Sequence, residues 1–271
     1  MVNLEILCRN VCDIALEVGD FIRTERKIFN SSAIEYKGFN DLVSYVDKTA
    51  EKKLVEKLSK LIPDGGFITE ENTSNVHGKN FTWVIDPLDG TTNFIHGIPC
   101  YCISIGLKET DELIMGVVYE INLDECFYSW KNAAAYLNKE EIHVSKVPSL
   151  AQSLIATGFP HTNFSRMKEY MEVFDYLMHH THGLRRLGSA AVDMAYVACG
   201  RFDGFYEYGL NSWDVAAGAF IIQQAGGKVA DFSGGKNYLF GKEMVATNEL
   251  IHNEMLKVVM EKFEKPGQQR F

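Results

Sequence analysis

Apolar residues recur every three or four positions between residues 2 and 29 (Leu4, Leu7, Cys8, Val11, Ile14, Ala15, Val18), and this spacing predicts one amphipathic helix. A second helix is predicted from about Asp41 to Leu61. It carries Leu42, Val46, Leu54, Leu58 and Leu61 on one face, Lys and Glu on the other, and ends at Pro63-Asp64-Gly65-Gly66. The period then shortens. Segments 81–86, 101–108, 113–120 and 126–130 are rich in β-branched or aromatic residues and bounded by turn or charged residues, so they read as neighbouring strands of one sheet. After Pro148 the pattern predicts a strand at 153–158, helices near 164–180 and 189–199, a strand at 202–208, a helix at 213–225 and a strand at 228–231. No fixed-period repeat, low-complexity tract or flexible linker separates the halves. The expectation is one packed unit over 1–271, with sub-regions 1–148 and 149–271, mixed helix and sheet layers, and the site between them.

Composition narrows the classes. Hydrophobic residues make up 46% of 271 and charged residues 23%, which suits a soluble globular chain. Lys and Arg number 27 against 36 Asp and Glu, a net charge of -9 that argues against nucleic acid as the primary ligand. No stretch approaches the roughly 18 apolar residues of a membrane span. Glu5, Arg9, Asp13, Glu17 and Asp20 interrupt the place where a secretory signal needs an apolar run, so a cytoplasmic protein is expected. The six cysteines form no CxxC pair and read as reduced, with Cys8 and Cys12 filling the core.

The segment VIDPLDGTTNF (Val84 to Phe94) carries the most chemistry, because an apolar strand ends abruptly in two acids, a proline, a glycine and two hydroxyls. Pro87 fixes one φ and Gly90 permits an otherwise costly one, so Asp86 and Asp89 can share one side of a tight turn. Gly90, Thr91 and Thr92 then open a helix, whose N–H groups suit a phosphate. Carboxylates beside an anion site call for a cation, and Mg²⁺ bridging carboxylate to phosphate resolves the repulsion. Glu70 and Glu71 follow a short strand at 66–69, and Asp214 stands in the first turn of a helix after Ser212-Trp213. Taken singly, a helix-start Asp reads as a cap, the paired Glu as a solvated loop, and Asp47 as part of the polar face of the second helix.

TEEN at 69–72, VIDPLDGTTNF at 84–94, LGSAAVDMAYVACGRFDGFYE at 187–207 and SWDVAAGA at 212–219 together resemble the inositol monophosphatase family of Mg²⁺-dependent, lithium-sensitive phosphatases. The resemblance runs from DLVSYVD at 41–47 to AGGKVADF at 225–232. It implies that Glu70, Asp86, Asp89, Asp214 and the Leu88 carbonyl bind two or three Mg²⁺ ions. It further implies that Thr91, with Glu70 and Asp47, orients the attacking water, and that Asp89, Gly90 and Thr91 meet the phosphate. Gly188, Ser189, Ala190 and Glu207 would line the pocket for the alcohol, a small polyol or sugar. The implied fold is an αβαβα sandwich of the sugar-phosphatase type, an α/β layered architecture with two mixed sheets between helix layers, forming a single catalytic unit and usually a homodimer.

Departures from the family pattern are local. Thr69 replaces a glycine before the paired Glu, and the glycine-rich hairpin GxGAFxNG becomes NAAAYLNK from Asn132 to Lys139, where an altered turn is expected. His179, His180 and His182 read as a helix terminus, Arg185 and Arg186 as solvent or dimer contact, and the tail with Lys262, Lys265 and Arg270 as frayed surface. Rival readings are weaker. Aspartyl-nucleophile phosphatases carry DxD, whereas Asp86 and Asp89 are three apart; actin-like kinases need a glycine two places after the Asp, whereas Gly90 comes one place after Asp89. Within the class, fructose-1,6-bisphosphate or 3′-phosphoadenosine 5′-phosphate are alternative substrates, and a protein-partner module is a distant third reading.

Overall fold

The computed structural model describes residues 2–30, 34–38, 41–74 and 76–263. Helix α1 (Leu4–Ile28) leads through a ribbon of β1 (Ile34–Gly38) and β2 (Asp41–Ser44) into α2 (Tyr45–Leu61). A seven-stranded sheet follows in chain order: β3 (Gly66–Thr69), β4 (Phe81–Asp89), β5 (Cys102–Glu109), β6 (Glu112–Glu120), β7 (Glu125–Trp130), β8 (Ala135–Leu137) and β9 (Glu140–Ile142). Only its β3–β4 pair is parallel, and the short helix α3 (Thr91–His96) interrupts the path from β4 to β5. The second sheet has five strands, in the order β11 (Gly183–Arg185), β10 (Leu154–Thr157), β12 (Gly204–Tyr208), β14 (Glu243–Thr247), β13 (Lys228–Ala230). Four helices complete the chain: α4 (Met167–His180), α5 (Ala190–Ala198), α6 (Ser212–Gln224) and α7 (His252–Phe263).

Three cores show how these pieces stack. Leu7, Val11, Val18, Leu54 and Leu58 of α1 and α2 close on Trp83, Ile85, Ile103, Ile105 and Val117 of the large sheet. Its other face, through Cys102, Val118 and Phe127, meets α5 and α6, which in turn cover Ala156, Phe205 and Met244 of the small sheet. The outer face of the small sheet packs Ile155, Tyr206 and Val245 against Tyr170, Val173 and Val259 of α4 and α7. The result is the helix–sheet–helix–sheet–helix order that the resemblance implies. Strand β5 is buried on both faces, which accounts for its near-continuous apolar run. Helix α6 lies very close to the sheet centre: a Cβ on Gly116 would fall 2.5 Å from the Ala217 carbonyl oxygen. Among the described residues no helix is long and apolar enough to cross a membrane.

Three sequence readings need correction. The second helix starts at Tyr45, not Asp41, because 41–44 pairs with β1 and Ser44 caps the helix by accepting from the Val46 N–H at 3.1 Å. The sequence pattern does not predict strands β1, β8, β9, β11 and β14 or helix α7. Lys262 belongs to the last turn of α7 rather than to a frayed tail, and Phe263 beside it packs on Phe232; Lys265 and Arg270 lie outside the described residues. The 132–139 hairpin makes its turns without glycine. Asn132 (φ 67°), Asn138 (φ 48°) and Lys139 (φ 77°) all take left-handed backbone, and Leu137 pairs with Glu140 around a two-residue turn. Asn tolerates this conformation, whereas Lys does not adopt it readily. Lys139→Gly is therefore expected to stabilise the protein by about 1 kcal/mol, offset in part by the freer unfolded chain. A thermal or urea midpoint that falls in the variant would contradict this account of the turn.

Candidate active site

The bend that exposes the acids is built into β4. Asp86 pairs with Ser104 and Asp89 with Cys102, so three steps on β4 match two on β5. Pro87 lies inside this bulge, where its missing N–H breaks no ladder bond. Asp86 Oδ1 accepts from the Leu88 N–H at 2.9 Å and closes the turn. Gly90 then takes φ 99°, with Cys100 O only 3.0 Å from where a Cβ would stand, and its successor Thr91 begins α3. Thr91 Oγ1 lies 2.8 Å from Asp47 Oδ1 and 3.0 Å from the Leu88 carbonyl oxygen.

Asp47 is buried, not solvated. It sits at the third position of α2, where Oδ2 accepts from the Ser44 N–H at 2.9 Å and from Ser44 Oγ at 2.6 Å, leaving Oδ1 for Thr91. Burial pushes its carboxyl up, and the bonds from Ser44 and Thr91 pull it back. Glu70 follows β3, which lies parallel to β4, so the paired-Glu loop and the DPLDG turn leave the sheet side by side.

Across the cleft, Ser189 Oγ donates to Asp89 Oδ2 at 2.7 Å and the Ala191 N–H donates to the same oxygen at 2.6 Å. Asp89 thus ties the β4 turn to the start of α5. Asn93 adds a second tie, donating to the carbonyls of Cys100 (2.8 Å) and Leu187 (2.9 Å), the latter next to Gly188. Asp214 Oδ2 accepts from the Asn211 N–H at 2.6 Å, while Ser104 Oγ donates to the Trp213 carbonyl at 3.1 Å and holds the first turn of α6 on β5.

These groups line one cleft of about 840 Å³. It takes in Glu70, Asp86, Leu88, Asp89, Gly90 and Thr91 on one side and Gly188, Ser189, Ala190, Glu207 and Asp214 on the other. Every residue the family resemblance assigns to the site therefore lines the cleft, apart from Asp47, which reaches it through Thr91. Among the lining residues outside the predicted set, Asp193 and Arg186 bear on the chemistry. Asp193 is a lone acid in the apolar stretch AAVDMAYVA, and that isolation is the available signal; it is buried, and its Oδ1 has no hydrogen-bond partner among the described residues. Arg186 faces the cleft, where its charge acts on Asp89, Asp193 and Glu207, rather than belonging only to solvent.

Burial dominates the electrostatics, and crowding of carboxylates adds to it. Burial raises Asp86 well above the usual carboxylate range, and the charges of Glu70, Asp89 and Asp214 raise it further. Asp214 is pushed up to about 8 by burial and by Asp89, and it is in hydrogen-bonding contact with Asp86. Two carboxylates in contact require a shared proton or a cation between them. Asp89 rises less, to about 6, because burial is countered by its bonds from Ser189 and Ala191 and by Arg186.

Glu207 is raised from 4.5 to about 8 by burial, with Arg186 opposing and Asp89 adding to the rise. A carboxyl raised in the folded state contributes stability that is complete below its unfolded value and is lost as pH climbs through the folded one. The metal-free protein is therefore expected to lose thermal stability between about pH 4.5 and 8, and Glu207→Gln to flatten that decline. An identical slope in the variant would show that Glu207 ionises at an ordinary pH.

Glu70, Asp86, Asp89, Asp214 and the Leu88 carbonyl offer hard oxygens, the donors Mg²⁺ takes, and His96 and His161 also line the cleft. Among the described residues no three acid, imidazole or thiol side chains close around a single point, so an ion here would complete its shell with carbonyl oxygen, water and phosphate.

A layered α/β sandwich with an acid-rich turn at the end of a central strand defines the structural class. The chain belongs to the inositol monophosphatase family, whose model matches residues 4–265. It is 40% identical over 247 residues to an inositol-1-monophosphatase of Mesorhizobium japonicum, covering 90% of this chain and 92% of that one. A fructose-1,6-bisphosphatase/inositol-1-monophosphatase of Thermotoga maritima is 39% identical over 230 residues, with 85% and 87% covered. The crystal structure of the extragenic suppressor protein suhB from Bartonella henselae is similar throughout, with TM-score 0.88, 35% identity, and 96% of this chain and 98% of that one covered.

Proposed function

We propose that this protein hydrolyses phosphate monoesters of small polyols, with inositol monophosphate as the substrate and Mg²⁺ as the metal. The observation that carries the reading is the contact between the carboxylates of buried Asp86 and half-buried Asp214, in one cleft with Glu70, Asp89 and the Gly90-Thr91 turn. In this reading Glu70, Asp86, Asp89, Asp214 and the Leu88 carbonyl hold two or three ions. When bound, Mg²⁺ lowers the pKa of a water and stabilises the leaving oxygen. Thr91 gives its hydroxyl hydrogen to Asp47 and so turns its lone pairs toward the water that attacks, while Glu70 faces the same water from the neighbouring loop. The N–H groups of Gly90 and Thr91 receive phosphate oxygens beside Asp89. No protein nucleophile takes part, so carboxylates and one hydroxyl suffice.

At the alcohol end, Gly188, Ser189, Ala190 and Glu207 meet the leaving group. Glu207 and Asp193, both raised by burial, put two carboxyl groups there beside Arg186. Carboxyl groups that can exchange hydrogen bonds with hydroxyls support a hydroxyl-rich alcohol. The test is a phosphate-release panel with Mg²⁺ on inositol 1-phosphate, glycerol 2-phosphate, fructose 1,6-bisphosphate and 3′-phosphoadenosine 5′-phosphate. Inositol 1-phosphate is expected to have the highest kcat/KM, and a preference for either bisphosphorylated compound would overturn the substrate assignment. Glu207→Gln is expected to raise KM for inositol 1-phosphate more than it lowers kcat, because contacts to hydroxyls are alike in ground and transition states. An equal fall in kcat on two substrates with KM unchanged would remove Glu207 from the alcohol pocket. Competition by Li⁺ and a homodimeric assembly belong to the same proposal.

A further inference from the structure

Glu51 is a fully buried carboxylate that the reaction described above does not use. It lies one helical turn after Asp47 on α2, so both side chains leave the same face of that helix. Asp47 holds Thr91 of the DPLDG turn. Glu51 reaches the other loop: Oε2 accepts from the Glu71 N–H at 2.7 Å and Oε1 from the Thr73 N–H at 2.8 Å. Just before these, the Glu70 N–H donates to the Ile85 carbonyl of β4 at 3.3 Å. Glu70 is thus pinned on one side to the sheet and on the other, through its neighbour's N–H, to α2.

We propose that Glu51 is a positioning residue for Glu70, and that the face of α2 bearing Asp47 and Glu51 sets the separation between the two loops of the reacting centre. The chemistry favours this over simple loop support. Surface loops are ordinarily satisfied by water or by neutral side chains. Burying a carboxylate costs far more and persists only where strong bonds offset it, and here both oxygens take charge-assisted bonds from consecutive parts of a single loop. A rigid placement of Glu70 is what such an arrangement produces. The inference rests on the reading of Glu70 as a ligand and water-orienting group.

The decisive variant is Glu51→Gln, which replaces one acceptor by an amide donor and sets it against a backbone N–H. Outer partners of this kind alter metal affinity or activity by roughly 10–100-fold, so kcat is expected to fall and the half-saturating Mg²⁺ concentration to rise within that range. KM for inositol 1-phosphate should stay near the wild-type value. Calorimetric titration of Mg²⁺ and counting of bound Mn²⁺ by electron paramagnetic resonance give the same affinity change without turnover. In a Glu70→Gln background, Glu51→Gln should add nothing further, because it acts through Glu70. Full additivity, or unaltered metal affinity in a folded Glu51→Gln, would overturn the proposal. If Glu70→Gln alone leaves activity and metal affinity intact, the reading of Glu70 is wrong and the failure lies there. Hydrogen exchange on the wild type covers the case of a variant that does not fold: the Glu71 and Thr73 amides should be protected to the level of α2, and rapid exchange at both would also overturn the proposal.

Discussion

Asp214→Asn should lose roughly three orders of magnitude in kcat/KM while the metal-free protein keeps or gains thermal stability, because under the proposed function it removes a carboxylate that holds an ion and strips charge stabilisation from the reacting centre. The sign of the stability change follows from its titration. Asp214 is raised from 3.8 to about 8, so in the metal-free protein folding at neutral pH must protonate a carboxyl that is ionised in the unfolded chain, and Asn removes that cost along with the repulsion from Asp89. The gain should therefore be larger at pH 8 than at pH 5. Asp89→Asn is expected to lose activity similarly, yet its amide oxygen can still accept from Ser189 and Ala191, so the start of α5 stays capped. Wild-type turnover at limiting Mg²⁺ in either variant would show that the residue does not hold the metal.

Thr91→Ala should lower kcat by roughly 10²–10³-fold with Mg²⁺ half-saturation and KM little changed, since it deletes the hydroxyl bonded to Asp47, which under the proposed function orients the attacking water, and leaves the carboxylates in place. Thr91→Ser restores the hydroxyl and should recover most of the loss. Asp47→Asn is a harsher change, because Asp47 also accepts from both the N–H and the hydroxyl of Ser44, and an amide donor placed there would disturb the start of α2. If Thr91→Ala raises KM with kcat intact, Thr91 binds substrate and does not orient water.

Much of this centre was legible because local rules operate at its core. The 3–4 spacing of Leu4, Leu7, Val11 and Val18 reads as α1, since that helix buries one face on a sheet. Asp86, Pro87, Asp89 and Gly90 announce a turn through backbone chemistry that depends on few distant contacts. The start of α2 was misplaced because a strand pairing with β1 competes with helix periodicity, and a capping Ser44 inside a polar stretch gives a weak signal. Strand β14 and helix α7 were missed, and their burial comes from packing against α4 and the small sheet, contacts that no short window contains.

The site shows the same division. Asp47 reads as part of a solvated helix face until the loop bearing Thr91 folds over it. Asp193 and Arg186 acquire meaning only when α5 and the segment before it meet β12 across the cleft, so that one cation stands among Asp89, Asp193 and Glu207. Glu51 looks like one more acid on a Lys- and Glu-rich helix. Its burial comes from residues 71 and 73, and its partners there are backbone N–H groups that side-chain identity does not reveal.

The most direct test of the central claim is phosphate release from inositol 1-phosphate as free Mg²⁺ is raised from an excess of EDTA. The hard-oxygen cleft and its touching carboxylates predict no turnover in the chelator and a saturable rise as the metal returns. Undiminished phosphate release in excess EDTA would contradict the assignment of these carboxylates to a metal centre.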